Sequence, residues 1–183
     1  RILKKNIFLS IINKGLSVVI SLLLVRLILE YIGKVDYGIW LTLSSIVGWA
    51  SFFDFGITHG LRNKFAEAKA HGNIVLARQY VSTSYMVVGG LFTTLCLLLL
   101  VINQFVDWRH FLNLTSISNL EIRQVFNILI ISFSLQFILN IITTIITADQ
   151  RAAFAAFINT MGQLFALLVI LLLVYTTKGS LSK

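Results

Sequence analysis

The stretch KGLSVVISLLLVRLILEYIGKVDYGIWLTLSSIVGWASFFDFG, residues 14–56, decides the fold. It holds two apolar runs on either side of Gly33-Lys34, and four ionisable residues, Lys14, Arg26, Glu30 and Asp54, lie inside those runs or at their ends. A lone Arg, Lys or Asp at the centre of a membrane helix costs about 2.5–3.5 kcal/mol or more, so such residues normally face a protein interior or a wet cavity. Two apolar helices that carry charges at these depths predict a membrane hairpin forming part of a cavity wall.

The whole chain agrees with a membrane reading. Of its 183 residues 57% are hydrophobic and 12% charged, with a mean hydropathy of +0.90; a soluble domain carries about twice that charged fraction. The first apolar segment, from Asn6, is too long for a signal-peptide core and has no small-residue cleavage site, so it is expected to remain as a span. The chain opens on Arg1 and closes on Gly179-Ser180-Leu181-Ser182-Lys183, and is read as a piece of a longer protein. The single cysteine, Cys96, lies in an apolar run and excludes both an internal disulfide and a cysteine metal site. The formal charge of +8 does not indicate nucleic acid, because the basic residues sit at membrane borders and not on one folded face.

A hydrocarbon core of about 30 Å needs roughly 20 apolar residues in helix. Five segments qualify, at about residues 6–31, 37–61, 80–105, 122–147 and 153–175, so the expected fold is an all-α polytopic membrane protein of one domain. On one side of these spans lie Arg1, Lys4, Lys5, Arg62, Lys64, Lys69, Arg78 and Arg151; on the other lie Lys34, Arg109, Arg123, Lys178 and Lys183. Cytoplasmic loops carry the excess of Lys and Arg, which puts the N-terminus in the cytoplasm. The loop from Arg62 to Gln79 has a helical pattern broken at Gly72-Asn73 and reads as an extension of the second helix near lipid headgroups. Trp108 fits an interfacial aromatic anchor. The chain has no proline, so bends must come from glycine.

Inside the spans, depth matching across the first hairpin sets Lys14 level with Asp54, a candidate ion pair in the cytoplasmic half of the membrane. The pair either fixes helix packing or rearranges at the mouth of a cavity. Arg26 precedes Glu30 by one turn, which permits an i,i+4 contact. A guanidinium keeps its charge and holds phosphate or carboxylate bidentately, so Arg26 is either an anion contact or a snorkelling residue. In the second hairpin, depth matching pairs Gln136 with Gln163 and Asn140 with Asn159. These amides are either helix-packing glue or a neutral cavity lining suited to sugar hydroxyls.

Other motifs carry no chemistry. Asp54-Phe55-Gly56 spells a kinase magnesium triplet without the phosphate loop, catalytic loop or soluble fold that it needs. His59, His71 and His110 lie on both membrane sides, and no Ser, His and Asp set shares a depth, so neither a metal site nor an enzyme is expected, and no cofactor.

The run Tyr31-Ile32-Gly33-Lys34-Val35-Asp36-Tyr37-Gly38-Ile39-Trp40, with Trp49, Asp54-Phe55-Gly56-Ile57, Gly60-Leu61-Arg62-Asn63-Lys64 and Ala66, resembles the N-terminal part of bacterial polysaccharide flippases. These are the O-antigen, or Wzx-type, translocases of the multidrug/oligosaccharidyl-lipid/polysaccharide exporter superfamily. The likeness is dense over residues 6–80 and hydropathic beyond. It implies a two-lobed transporter of about twelve or more helices, in which this chain supplies most of the N-terminal lobe and stops before its sixth helix. It further implies a bacterial inner-membrane location and translocation of an undecaprenyl-diphosphate-linked oligosaccharide from the cytoplasmic to the periplasmic leaflet by alternating access. Expected partners are that lipid-linked substrate, membrane lipid, and polysaccharide polymerase or glycosyltransferase enzymes. By the same resemblance Lys14 and Arg26 would attract the diphosphate or acidic sugars, although Asp54 at the depth of Lys14 would neutralise it. The rival readings are a multidrug exporter of the same superfamily, driven by protons or sodium, and a non-transporting scaffold for polysaccharide assembly.

Overall fold

A computed structural model describes residues 2–54, 56–112 and 118–176. The described residues are helical throughout apart from short turns. The elements are α1 (Ile2–Gly48), a 3-10 segment (Trp49–Asp54), α2 (Ile57–Ala70), α3 (Ile74–Phe105), α4 (Trp108–Phe111), α5 (Asn119–Ala148) and α6 (Ala152–Thr176). Four of them contain stretches long and apolar enough to cross a membrane: Ser10–Gly48 within α1, then α3, α5 and α6. Leu22, Leu98, Leu135, Phe165 and Leu172 are all more than half exposed, a surface that suits lipid and not water. The chain is a multi-pass membrane protein.

Among the described residues four helices qualify, where the sequence predicts five spans. The difference is the span expected at residues 37–61, which is not one continuous helix. Its first part closes α1, its middle is the 3-10 segment, and its end opens α2. Gly56, between them, sits at φ 74°, in the left-handed region, which glycine alone enters without strain. The 14-residue α2 that follows is too short and too polar, with Arg62, Asn63, Lys64, Glu67 and Lys69 in it, to span a bilayer.

The turn expected at Gly33 is a single residue. Gly33 has φ 85° and ψ 167°, and the backbone is helical on both sides of it. The packing shows what this break does. Before it, Asn13 bonds the Ala153 carbonyl and Ser17 bonds Gln163, so the chain numbers ascend together and this segment runs parallel to α6. After it, Ile39, Leu43 and Val47 join a buried cluster with Ile122, Val125, Phe126 and Ile130 of α5. Further on Leu61 clusters with Ile141, and Lys69 pairs with Asp149, so residues 39–69 follow α5 in its own direction. Helices α5 and α6 are joined by the turn at residues 149–151 and pack as a hairpin, so the chain reverses at Gly33.

Helix α3 packs antiparallel to α5. Phe92 stacks on Phe137 at 4.3 Å between ring centroids, and nearer the other end Asn103 bonds Asn127. Gly72 at φ 71° and Asn73, whose side chain accepts from the Leu76 amide, make the break expected at Gly72-Asn73 and start α3 six residues before the expected Tyr80. Ser118 and Glu121 form a reciprocal capping box that starts α5, satisfying two first-turn donors.

Trp108 corrects a second expectation. It is 5% exposed, sits edge-on to Phe126 at 4.6 Å, and donates its indole N–H to Asn103 Oδ1 at 2.6 Å. A core hydrogen bond, not a headgroup contact, satisfies its polar atom. Asn103 itself is fully buried and donates to the Arg123 carbonyl and to Asn127 Oδ1. This network pins the α3–α5 connection to the end of the bundle.

Candidate functional site

The polar residues singled out from sequence fall on two connected surfaces. The first runs along the part of α1 before Gly33 and onto α6. Ser17 donates to Gln163 Oε1 at 2.6 Å, and Thr160, 2% exposed, donates to the Asn13 and Ala156 carbonyls. These bonds lock α1 to α6 where the apolar surface alone would let them slide. Lys14 lies beside them, exposed, with no ion pair among the described residues. Its expected pairing with Asp54 falls on a side chain outside those described.

Arg26 and Glu30 meet as their spacing allows, with Nε to Oε1 at 3.0 Å. The pair is open: the two side chains are 77% and 61% exposed. It lies seven and three residues before Gly33, so Arg26 is about 10 Å of helix from the turn. An exposed pair in an apolar helix gains little from its own attraction and calls for water, headgroups or another protein surface around it.

The four amides do not face one another. Gln163 is taken by Ser17 of α1, while Gln136 is exposed and makes no hydrogen bond among the described residues. Asn140 contributes its backbone carbonyl, which accepts from Thr143 and Thr144. Equal depth places residues on a level but not on facing sides, and the α5–α6 hairpin turns these side chains apart.

Asn159 is the exception. It lines the second surface, an open cavity of about 170 Å³ between α2, α5 and α6, together with Thr58, His59, Arg62, Thr143, Thr144 and Thr147. Two facts set its chemistry. No carboxylate lies among its lining residues. The threonine hydroxyl protons are already committed, from Thr143 and Thr144 to the Asn140 carbonyl and from Thr147 to the Thr143 carbonyl. These oxygens therefore face the cavity as acceptors. Sequence reading missed the threonines because each is unremarkable alone; their 143, 144 and 147 spacing, which shares one helix face, was the available signal.

Just beyond the cavity, where α5 turns into α6, the charges are largely self-compensated. Lys69 and Arg151 share Asp149, and Lys64 bonds Glu67 at 2.9 Å. That hydrogen bond and the accompanying charge attraction hold the Glu67 carboxyl below the usual carboxylate range and lift Lys64 above the usual lysine value. Arg62 has no such partner among the described residues. Among the described residues no group of His, Cys, Asp or Glu is placed to hold a metal ion. In comparisons with known proteins, no family model, no curated protein and no solved structure matches this chain.

Proposed function

We propose that the chain is the N-terminal lobe of a transporter that moves a lipid-linked oligosaccharide, an undecaprenyl-diphosphate-bound O-antigen or capsule repeat unit, from the cytoplasmic to the periplasmic leaflet by alternating access. The protein sits in the bacterial inner membrane with the α5–α6 turn and the N-terminus in the cytoplasm. Residues 39–69, interrupted at the 3-10 segment, accompany α5 as the broken helical path of that lobe. It performs no chemistry on its substrate, and polysaccharide polymerase or glycosyltransferase enzymes act beside it.

The observation that supports this reading is the exposed charge on α1. Lys14, Arg26 and Glu30 lie open in a helix whose neighbouring faces are apolar, and a bilayer would not tolerate them without a wet or protein-lined surface opposite. A second lobe supplies that surface. The multidrug-exporter reading needs a free embedded carboxylate for ion coupling; the acid at a suitable depth for it is Asp54, whose side chain lies outside those described, while Glu30 is bound to Arg26.

The test is a strain in which the protein is deleted and then restored with an Arg26→Ala variant. Deletion should accumulate lipid-linked repeat units on the cytoplasmic leaflet, and the variant should restore membrane insertion but export glycan poorly. Normal glycan export after deletion would remove the transport reading; normal export with Arg26→Ala would remove Arg26 from it.

A further inference from the structure

The cavity between α2, α5 and α6 has a divided character that restricts what it can hold. On one wall Arg62 of α2 supplies N–H donors and positive charge, with His59 and the Thr58 hydroxyl beside it. On the other, Thr143, Thr144 and Thr147 of α5 present oxygens whose own protons are spent on backbone carbonyls at 2.7–2.9 Å. A bare oxyanion would meet Arg62 well and the threonine oxygens badly. A neutral polyol would suit the threonines and leave Arg62 without its counter-charge. A group that carries an anion at one end and hydrogen-bond donors at the other satisfies both walls.

Size and position narrow it further. The cleft, about 170 Å³ and open on one side, has room for one phosphate ester with a short polar substituent. Thr147 is one residue from the end of α5, and Asn159 is seven residues into α6, about 10 Å of helix. The cavity therefore lies at the end of the bundle, beside the charged cluster of Lys69, Asp149 and Arg151, at the depth of lipid headgroups.

We propose that this cavity binds a phosphate ester bearing hydroxyl or ammonium donors, with Arg62 and His59 on the phosphoryl oxygens and the threonine oxygens and Asn159 on the donor end. A guanidinium suits phosphate by its planar paired donors. The inference stands independently of the transport reading, since a bilayer phospholipid and a soluble sugar or glycerol phosphate share this chemistry.

The experiment uses the full chain in lipid nanodiscs, with bound lipid read by native mass spectrometry and soluble esters by calorimetric titration. In the lipid arm, phosphatidylethanolamine and phosphatidylglycerol, which carry N–H or O–H donors, should be retained over phosphatidylcholine, which carries none. In the soluble arm, glycerol 3-phosphate should bind more tightly than methyl phosphate. Selective binding in the first arm alone assigns the site to a headgroup, and in the second alone to a free ester; either supports the proposal. Arg62→Gln should weaken the selected ligand about tenfold to a hundredfold, the usual range for a lost charged hydrogen bond. A Thr143→Val, Thr144→Val, Thr147→Val variant, close in shape, should retain phosphate binding and lose the preference for donors. Thermal melting of each variant checks that it is folded, and His59→Gln provides a second, milder change on the phosphate wall. Equal retention of the three lipids together with equal binding of the two esters would overturn the proposal, as would unchanged affinity in Arg62→Gln.

Discussion

Replacing Asn103 with Ala should be among the most damaging single changes in this chain, although Asn103 lies far from the cavity. The residue is fully buried and works in both directions: its oxygen accepts the Trp108 indole N–H at 2.6 Å, and its nitrogen donates to Asn127 Oδ1 and the Arg123 carbonyl. Truncation leaves the indole N–H, on a side chain 5% exposed, with no acceptor. An unsatisfied buried donor costs about 1–3 kcal/mol. The vacated carboxamide adds a small cavity, while Asn127, only half-buried, recovers a partner from water. The sum is about 2–4 kcal/mol. For a chain of this size each kcal/mol moves the melting temperature by about 2–4 °C, which predicts a drop of about 5–15 °C. The assay is thermal unfolding of the full chain in detergent micelles, followed by far-ultraviolet circular dichroism. Trp108→Phe keeps the contact with Phe126 and removes only the donor, so a double-mutant cycle with Asn103→Ala isolates the bond. Polar pairs in membrane proteins average about 0.6 kcal/mol in such cycles; burial on both sides here predicts a coupling of about 1 kcal/mol or more. A coupling of zero, or an Asn103→Ala protein melting within about 2 °C of the parent, would refute the reasoning.

Three further changes probe separate parts of the molecule. Phe92→Ala removes a ring that is 1% exposed and stacked on Phe137, and should cost about 3–5 kcal/mol in the same melting assay. Gly33→Ala places a side chain at φ 85° and ψ 167°, a region close to glycine-only, and should destabilise by about 1–3 kcal/mol; since no neighbouring atom lies within 4 Å of the added carbon, a loss would come from backbone strain and not from a clash. For the Lys64–Glu67 pair the signs follow from the two shifts: the lowered Glu67 carboxyl adds stability above its ordinary range that is lost as pH falls through the lowered value, and the raised Lys64 adds stability that is lost as pH rises through the raised value. Both groups are exposed, so Glu67→Gln should differ from the parent slightly across neutral pH and merge with it in strong acid, as read by melting temperature against pH.

The sequence made the helices legible and their breaks less so. The spans expected at 122–147 and 153–175 lie within a few residues of α5 and α6, because long apolar runs between polar turns leave the backbone no other way to satisfy its hydrogen bonds in lipid. The run 37–61 reads as one helix for the same reason, since its apolarity is high. Apolarity does not report φ: α1 ends at Gly48, within the apolar run, and the left-handed Gly56 separates the 3-10 segment from α2. Trp108 shows the same limit from the other side. Its place beside a predicted membrane border fits an interfacial anchor, but Asn103, five residues earlier, provides an acceptor that makes burial the better solution.

The polar residues inside the bundle show why site prediction was harder than fold prediction. A polar side chain in an apolar helix has three fates: it bonds its own backbone, bonds a neighbouring helix, or stays open to a ligand or solvent. Sequence reveals the polarity but not the fate. Depth matching pairs Gln163 with Gln136, but it is spent on Ser17; the threonines, each unremarkable in sequence, spend their protons on their own helix, which converts them into acceptors facing outward. Arg62 reads as one of several border cations, yet Lys64, Lys69 and Arg151 each have a carboxylate within reach and Arg62 faces a cavity whose lining includes none. What separates a binding charge from a border charge in this chain is therefore the position of Glu67 and Asp149, which compensate its neighbours and leave Arg62 to an external anion.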